Sequence, residues 1–403
     1  MFCTQKITED IDWVGGSDRR LALFENLFPL PDGMSYNAYL VKDQKTALMD
    51  TADASVSAQF LENVEHALGG RTLDYLVANH MEPDHCAMLA DIVRRWPQVK
   101  LVGNKKTFQL IRQFFDFPLD AARCVEVKEG DTLELGRHKL RFLMTPMVHW
   151  PEVMMTYDET DKALFCADAF GTFGAFHGPI FADELDFPHC YLDEARRYYA
   201  NIVGKYGPQV QMALKKTKTL QIERLCSLHG PVWRKDIGWF LQKYDLWSRY
   251  EPEEQGVLVA YGSMYGHTAN MAELLASMLA EKGVTHIHMY DVSKTDKSYI
   301  ISDAFRFSNL VFAAPTYNNG LYLPMETLLQ DMAALNLQNR RCTLLGNGSW
   351  APVSAKKMQE QLATMKAMQQ VGEPLQIRSS LKKEQVPQLE ALAQAVADSM
   401  RNA

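Results

Sequence analysis

The sequence contains no C-x-x-C cysteine pair and no long apolar run. Its seven cysteines are odd in number and scattered over 403 residues, so neither a disulfide framework nor a rubredoxin-type iron site is indicated. No stretch approaches the roughly 18 to 20 apolar residues of a membrane span, and the acidic N-terminus lacks the apolar segment of a signal peptide. We therefore expect a cytoplasmic protein with no membrane partner.

Positive charge is also scarce. Lysine and arginine number 42 against 49 aspartates and glutamates, which gives a formal net charge of −7. A nucleic-acid partner is not expected, because neutralising phosphates requires a basic surface. A hydrophobic content of 47% and a charged content of 23% are those of a globular protein. The length exceeds what one hydrophobic core usually supports, so two domains are expected.

A charged segment with a proline, WSRYEPEEQG at 247–256, lies between a helical pattern and the apolar strand GVLVAYG. We place the boundary there and predict domains at 1–250 and 256–403. After it, strand-like runs alternate with helical ones, which predicts a doubly wound parallel sheet. The ligand site of such a sheet lies beyond the carboxyl ends of its strands, so the loops after Tyr261, Ala314 and Leu345 should meet.

In the first domain, apolar runs end repeatedly in metal-ligating residues. DYLVANH opens an H-x-E-x-D-H motif with His80, Glu82, Asp84 and His85. Alternate residues 80, 82 and 84 would face one way in an extended chain, and Asp84 and His85 can turn toward a second metal at the next helix. Three more candidates end the runs RFLMTPMVH, KALFCAD and RLCSLHG, namely His149, Asp168 and His229. Mixed imidazole and carboxylate donors suit iron, zinc or manganese, and a carboxylate suits a bridge between two ions.

The second domain offers three loops for a phosphate-bearing ligand. Short hydroxyl residues, a glycine and the free N–H groups of a helix N-terminus can hold a phosphate, and neither a Walker A nor a G-x-G-x-x-G sequence is present. A mononucleotide is therefore favoured. The candidate residues are Ser263, Met264, Tyr265, Gly266, His267, Thr268, Pro315, Thr316, Tyr317, Asn318, Asn319, Gly320, Asn347, Gly348, Ser349 and Trp350.

These motifs resemble known families. The H-x-E-x-D-H sequence resembles the metallo-β-lactamase motif, in which hydrolytic zinc members usually have H-x-H-x-D-H; a carboxylate at Glu82 favours a redox iron pair. The three loops resemble the FMN loops of flavodoxins. Together with HWPEVM, ADAFG, YYANIV and PTYNNG, the chain resembles the flavodiiron proteins, or A-type flavoproteins. The resemblance implies an N-terminal metallo-β-lactamase-like αββα sandwich and a C-terminal flavodoxin-like doubly wound parallel sheet.

The same resemblance implies a site and an activity. One iron would take His80, Glu82 and His149, the other Asp84, His85 and His229, and Asp168 would bridge them; family members differ in whether the histidine at His85 reaches the metal. Trp150 and Tyr198 would line the pocket or donate a hydrogen bond to bound oxygen. Oxygen would be reduced to water, or nitric oxide to nitrous oxide, and FMN would reload the irons.

Partners and departures follow from the resemblance as well. The third loop reads GNGSWAP, where many members have a Gly-Ser-Tyr/Phe-Gly-Trp pattern, but it keeps a tryptophan. Because the rubredoxin and flavin-reductase segments of longer members are missing, we expect a separate donor, either a rubredoxin-like protein or a reduced cofactor. A head-to-tail homodimer, or a tetramer of such dimers, is also expected.

Two other functions remain open. The first is a metal-dependent hydrolase of the β-lactamase class with an accessory flavodoxin domain. The second is an electron carrier whose N-terminal domain is a metal-free scaffold.

Overall fold

The computed structural model describes residues 1–401, which form two compact units. The first unit comprises residues 1–199 and 208–245, and the second comprises Ala200–Gly207 and the chain from Leu246 onward. Tyr250 explains why the short internal segment belongs to the second unit. Its hydroxyl donates to the carbonyl of Gly204 at 2.9 Å and accepts from the N–H of Gly207 at 3.2 Å. The chain changes unit within a helix, a few residues before the predicted boundary.

Two sheets build the first unit. The larger has seven strands in the order β1-β2-β7-β8-β9-β10-β11, parallel from β8 to β11, and the smaller has five in the order β12 to β16. Two further antiparallel pairs are β3 with β6 and the hairpin β4–β5. Strands β1 to β16 are Gln5–Lys6, Ile11–Trp13, Gly16–Asp18, Leu23–Phe24, Phe28–Pro29, Met34–Tyr36, Tyr39–Lys42, Thr46–Met49, Tyr75–Val77, Lys100–Gly103, Cys124–Glu126, Thr132–Glu134, Lys139–Met144, Met154–Asp158, Ala163–Phe165 and Arg224–Cys226.

The two sheets share one apolar core. Tyr39 and Val41 of β7 belong to the same buried cluster as Phe142 of β13 and Phe165 of β15. Helices α1 and α4 pack on the larger sheet. The helices of this unit, α1 to α8, are Ser57–Leu68, Pro83–Cys86, Leu89–Arg95, Lys105–Phe114, Phe187–Cys190, Leu192–Tyr198, Gly207–Thr217 and Ile237–Ser248. The predicted αββα sandwich of the metallo-β-lactamase type is confirmed.

The second unit is the predicted parallel sheet with flanking helices. Its order is β18-β17-β19-β21-β22, with β23 also paired to β21 and a short β20 paired to β19. Strands β17 to β23 are Glu254–Tyr261, Ile287–Asp291, Phe307–Tyr317, Gly320–Leu321, Arg340–Gly348, Met368–Gln370 and Leu375–Arg378. Helices α9 to α13 are His267–Glu281, Lys297–Arg306, Leu323–Ala334, Ser354–Leu362 and Val386–Arg401. Within residues 1–401, no helix combines the length and apolar character needed to cross a bilayer.

Strands β19 and β21 run further than predicted, and β21 continues past Leu345 to Gly348. β19 continues past Ala314 to Tyr317, because its end pairs antiparallel with β20 across a hairpin turn. Asn318 and Asn319 form that turn with φ of 48° and 58°. Asparagine tolerates this left-handed conformation, which a two-residue hairpin requires at both positions. The PTYNNG segment is therefore a hairpin and not an open loop.

A buried histidine links the two sheets of the first unit. His138, in the turn between β12 and β13, lies 2.8 Å through Nδ1 from Asp158 and 3.3 Å through Nε2 from Asp10. Asp10 directly precedes β2 of the larger sheet, and Asp158 ends β14 of the smaller. Burial alone would lower the pKa of His138, but the hydrogen bonds and charges of Asp158 and Asp10 raise it above its ordinary value.

This histidine makes stability depend on pH. Since the folded-state pKa is raised, its contribution is complete below the unfolded pKa of about 6.5 and is lost as pH rises through the folded value. We expect His138→Gln to lower the free energy of unfolding most at about pH 6 and progressively less toward pH 9, in urea titrations at a series of pH values. Replacing the exposed His189 in the same way is the control. A deficit that is equal at all pH values would contradict this role for the charge.

Candidate functional site

The predicted metal ligands lie on loops just beyond the strand ends. β9 ends at Val77, three residues before His80, although the run DYLVANH predicted a strand up to that histidine. The buried carboxylate of Asp50 accounts for the difference. It accepts hydrogen bonds from the backbone N–H of Asn79 at 2.7 Å and of His80 at 3.1 Å, which replace the strand ladder. Burial raises the pKa of Asp50 to about 6.

The ligand-type side chains converge in two groups. In each group the potential ligand atoms lie within 4.8 Å of one another. Glu82 is the last extended residue, and α2 begins at Pro83, so Asp84 does not continue the alternation of 80 and 82. It turns with His85 toward the second group instead. The groups are His80, Glu82, His149 and Asp168, and Asp84, His85 and His229.

Asp168 lies between the two groups and is buried. Its Oδ2 is 3.3 Å from Nε2 of His80 and 3.3 Å from Nε2 of His149. Its Oδ1 is 3.0 Å from Nε2 of His85 and 3.8 Å from Nε2 of His229. One carboxylate oxygen therefore faces each group, which is the arrangement that a ligand shared by two cations requires.

The donor set fits two cations. Both carboxylate oxygens of Asp84, Nε2 of His149 and Oδ1 of Asp168 are buried and find no hydrogen-bond partner among residues 1–401. Burying such groups without a partner is costly, and a bound cation removes that cost. Each half of the pocket offers imidazole nitrogens beside carboxylates, a mixture typical of iron, zinc and manganese sites.

The charges in the pocket act strongly on one another. Burial alone would raise the pKa of Asp168, but the charges of His85 and His80 hold it well below its usual range. Burial opposes protonation of His149 as well, yet the neighbouring carboxylates of Asp168 and Glu82 raise its pKa to about 9. The pKa values of His80 and His85 are raised as well, so metal binding at these three imidazoles competes with protons.

Two hydrogen bonds orient the imidazoles from outside. Nδ1 of His80 lies 2.9 Å from the buried Glu152, which also accepts from the N–H of Met81 at 2.8 Å. Nδ1 of His229 donates to the carbonyl of Ser35 at 2.7 Å. Both contacts leave Nε2 free to bind a metal. Sequence reasoning missed Glu152, although it belongs to the quoted HWPEVM segment; Ser35 acts through its backbone and gives no residue-type signal.

Trp150 and Tyr198 both lie at the pocket. The half-buried indole of Trp150 meets His80 edge to face, with ring centroids 5.6 Å apart. Tyr198 is fully buried, 5.5 Å from His229 between ring centroids, and its hydroxyl has no hydrogen-bond partner within the described chain. A Cβ on Gly171 would lie 2.7 Å from this ring, so only glycine allows Tyr198 to approach so closely.

The β4–β5 hairpin closes one side of the pocket. Phe24 meets the ring of His229 edge to face at 5.5 Å. Glu25 is exposed as a residue, yet its carboxyl lies against Glu82, and partial burial with the charge and hydrogen bond of Glu82 raises its pKa to about 8. No signal in the sequence linked Glu25 to the motif, because the two are more than 50 residues apart.

The predicted loops of the second unit meet around a cavity of about 670 Å³. This volume is in the range of small-ligand sites. Gly266 and Gly320 do not contact the cavity, whereas Ala351 and Ser379, which were not predicted, do. Its other lining residues are Ser263, Met264, Tyr265, His267, Thr268, Pro315, Thr316, Tyr317, Asn318, Asn319, Asn347, Gly348, Ser349 and Trp350.

Side-chain hydrogen bonds hold these loops together. The amide nitrogen of Asn347 donates to Oγ1 of Thr268 at 3.3 Å and to the carbonyl of Ser379 at 3.0 Å. The hydroxyl of Thr316 donates to the carbonyl of Asn347 at 3.0 Å. The N-terminus of α9 presents free N–H groups beside Thr268, which suits a phosphate. Trp350 is 87% exposed and can therefore lie against a flat ring.

Comparisons with known proteins agree with both halves. A model described as ODP family beta lactamase matches residues 34–230, and a flavodoxin model matches residues 259–401. The anaerobic nitric oxide reductase flavorubredoxin of Aeromonas hydrophila subsp. hydrophila is 31% identical over 362 residues, which cover 88% of this chain and 72% of that protein. An uncharacterised protein of Methanocaldococcus jannaschii is 30% identical over 88% of both chains.

The fold comparison covers the whole chain. The structure of rubredoxin oxygen:oxidoreductase from Desulfovibrio gigas superposes with a TM-score of 0.92, at 28% identity and 99% coverage of each chain. A β-lactamase-like unit with two groups of ligand-type residues thus precedes a flavodoxin-like unit with a preformed cavity, in the same order as in these relatives. The chain therefore belongs to the flavodiiron protein family.

Proposed function

We propose that this protein reduces oxygen to water, nitric oxide to nitrous oxide, or both. The observation that carries the proposal is the position of Asp168, with one oxygen facing each group of ligand-type residues. When bound, two iron ions would supply binding and reduction of the gas, and FMN in the second unit would return electrons to them. The names of two relatives, a nitric oxide reductase and a rubredoxin oxygen:oxidoreductase, support the two substrates.

The ligand assignment follows from the two groups. His80, Glu82 and His149 would hold one iron, Asp84, His85 and His229 the other, and Asp168 would bridge them. We include His85 because its Nε2 lies 3.0 Å from Asp168 and 3.3 Å from Asp84, inside the pocket. Three carboxylates among seven ligands favour iron, since anionic oxygen donors stabilise oxidised cations.

The two other functions explain fewer observations. A zinc hydrolase has no need for the cavity that three hydrogen-bonded loops form in the second unit. A simple electron carrier has no need for buried carboxylate and imidazole atoms that converge without hydrogen-bond partners. Both features serve a protein that stores electrons in one unit and uses them in the other.

Tyr198 and Trp150 are proposed to act on the bound gas and its surroundings. The unpartnered hydroxyl of Tyr198 can donate a hydrogen bond to an oxygen atom held between the two groups. Its burial raises its pKa well above the usual value, so the proton stays on the phenol. Trp150 covers one side of His80 and excludes water there.

Removal of the bridge should abolish activity without affecting the flavin. In Asp168→Ala we expect loss of at least one iron per chain and of gas consumption, while FMN stays bound, as measured by metal analysis, flavin absorbance and oxygen and nitric oxide electrodes. Asp91→Ala, which changes a half-buried aspartate of α3, is the matched control. Full activity in Asp168→Ala, or stoichiometric zinc in the wild type from iron-replete cells, would overturn the proposed site.

Removal of the Tyr198 hydroxyl should lower the turnover number without loss of iron or FMN. Tyr198→Phe keeps the ring that packs over Gly171, so both irons and FMN should remain. We expect kcat to fall on the order of 10²-fold, the usual effect of removing one donor to developing charge, with KM little changed. Tyr191→Phe, a half-buried tyrosine of the same unit, controls for the substitution. An unchanged kcat would assign Tyr198 a packing role only.

A head-to-tail homodimer is part of the proposal. Exposed apolar side chains occur beside both sites, which in a single chain is unfavourable. At the metal pocket, Leu23 and Leu27 belong to the hairpin that touches His229, and Phe114 stacks against Trp150 at 6.4 Å. Beside the flavin cavity the exposed side chains are Met264, Tyr265, Tyr317, Leu323 and Trp350. Contact between these two surfaces in a two-fold pair would bring each FMN to the partner's irons.

Mixing two inactive chains tests the pairing. Asp168→Ala keeps FMN, and a variant with Gly266→Val and Thr268→Ala should keep iron but lose FMN, because Gly266 has φ +90° and Thr268 lines the cavity. Heterodimers formed after dissociation and reassembly should recover activity, since one metal site and one flavin then face each other. Mixing each variant with itself is the control. Verified heterodimers without activity would show that electrons pass within one chain.

The identity of the electron donor and the location in the cell also remain proposals. We propose a separate donor, a rubredoxin-like protein or a reduced cofactor, and a cytoplasmic location. The name of the Desulfovibrio gigas relative, rubredoxin oxygen:oxidoreductase, supports the first of these donors.

A further inference from the structure

Two histidines lie on either side of Ile287 at the start of β18, the edge strand of the sheet in the second unit. His288 pairs in register with Leu258 of β17. The carbonyl of His286 accepts from the N–H of Val257 at 2.9 Å, so the extended pairing already includes this residue. Alternate residues of an extended chain lie on one face, with their Cα atoms about 6 to 7 Å apart. We call His286 and His288 the edge histidine pair.

Each imidazole of the pair is oriented by a carboxylate. Nδ1 of His286 lies 2.6 Å from Oε2 of Glu254, and Nδ1 of His288 lies 2.6 Å from Oδ2 of Asp303. Because an ionised carboxylate only accepts hydrogen bonds, Nδ1 is the donor in both contacts. In the neutral imidazole the proton is therefore on Nδ1, and Nε2 keeps the lone pair that binds a metal. Metal-ligating histidines are typically oriented by such a contact.

Arg306 joins the two carboxylates. Its Nε donates to Oε1 of Glu254, and its Nη1 lies 3.9 Å from Oδ1 of Asp303. Asp303 is buried and also accepts from the hydroxyl of Tyr290 at 2.7 Å. The shared contact with Arg306 places both carboxylates on the same side of the sheet. Both imidazoles therefore face that side, as the alternation along the strand predicts.

The imidazoles of the pair are accessible. The side chains of His286 and His288 are 54% and 40% exposed. Within residues 1–401, neither Nε2 atom forms a hydrogen bond. The ring of His288 also meets Phe307 edge to face, with centroids 5.0 Å apart, which restricts its orientation. Two oriented imidazoles on alternate residues of one strand can bind a single ion through both Nε2 atoms, with water in the remaining positions.

His189 of the first unit shows the same contact without a second histidine. Its Nδ1 lies 2.7 Å from Asp186, and its side chain is exposed. The residues two positions away are Phe187 and Tyr191, neither of which has an imidazole. A carboxylate contact alone therefore does not distinguish the edge pair. The pairing of two such histidines on one strand does.

We propose that the edge histidine pair binds one divalent transition-metal ion. Imidazole nitrogens suit Ni²⁺, Cu²⁺ and Zn²⁺, and Cu²⁺ forms the most stable complexes of the three. The site is separate from the two ligand groups of the first unit. It is also separate from the flavin cavity, because neither histidine nor its carboxylate lines that cavity. Binding at the edge pair therefore leaves the iron and FMN sites unchanged and does not depend on gas reduction.

Copper binding to the iron- and FMN-loaded protein tests the proposal. The probe is Cu²⁺ alone, because its electron paramagnetic resonance spectrum reports the nitrogen atoms bound to it. Wild type would be compared with His286→Gln, His288→Gln and the double variant, and His189→Gln is the matched control. Exposed cysteines are first alkylated in every sample, since thiols also bind and reduce copper. Dialysis at buffered free Cu²⁺ followed by metal and flavin analysis gives copper, iron and FMN per chain.

We expect the wild type to bind one Cu²⁺ per chain in addition to its iron, with hyperfine splitting from two nitrogen ligands. Each single variant should bind Cu²⁺ more weakly by on the order of tenfold or more, since one of the two imidazole ligands is lost. His189→Gln should match the wild type, and iron and FMN contents should be equal in all five proteins.

Three results would overturn the proposal. Undiminished Cu²⁺ binding in the double variant would place the ion elsewhere. Copper uptake matched by loss of iron would show exchange in the metal pocket of the first unit. An equal loss of binding in His189→Gln would mean that single surface histidines account for the copper, without a site formed by the pair.

Discussion

The arrangement of the first unit depends most on the burial of several carboxylates in one pocket. Glu82, Asp84 and Asp168 are drawn out of water by the fold, and such groups are stable only with cations beside them. The imidazoles of His80, His85 and His149 have raised pKa values and supply positive charge when protonated, and metals supply it when bound. The rest of the first unit serves this arrangement. Strands end early so that loops can bring the ligands together, and Glu152 and the carbonyl of Ser35 hold two imidazoles with Nε2 inward.

Much of this arrangement could be predicted from the sequence. Residue type and spacing in the H-x-E-x-D-H motif identified the first four ligand candidates, and apolar runs ending in histidine or aspartate identified three more. Strand and helix alternation predicted the second unit and the meeting of its loops. These predictions succeed because ligand chemistry and hydrophobic periodicity are local properties, which a short stretch of sequence records.

Other features could not be predicted, because they depend on long-range contacts. Glu25 meets Glu82 only after the β4–β5 hairpin folds over the pocket. Ser379 reaches the flavin cavity only because β23 pairs with β21 in one particular register. The length of β19 depended on a partner strand whose two residues are too few to give a pattern. In each case the residue type can be read from the sequence, but its distance from the site cannot.

The short segment Ala200–Gly207 has a consequence for the order of synthesis. It leaves the ribosome before residues 208–245, which complete the first unit, yet it belongs with residues made much later, through the hydroxyl of Tyr250. Residues 208–245 therefore become available to the first unit before Ala200–Gly207 can contact Tyr250. A gene fragment that begins at the linker would encode a flavin unit without this segment, and that unit would leave the Tyr250 hydroxyl without the Gly204 carbonyl. Each unit is thus built from two separate stretches of the chain. Recombination between genes therefore could not exchange either unit as one continuous segment.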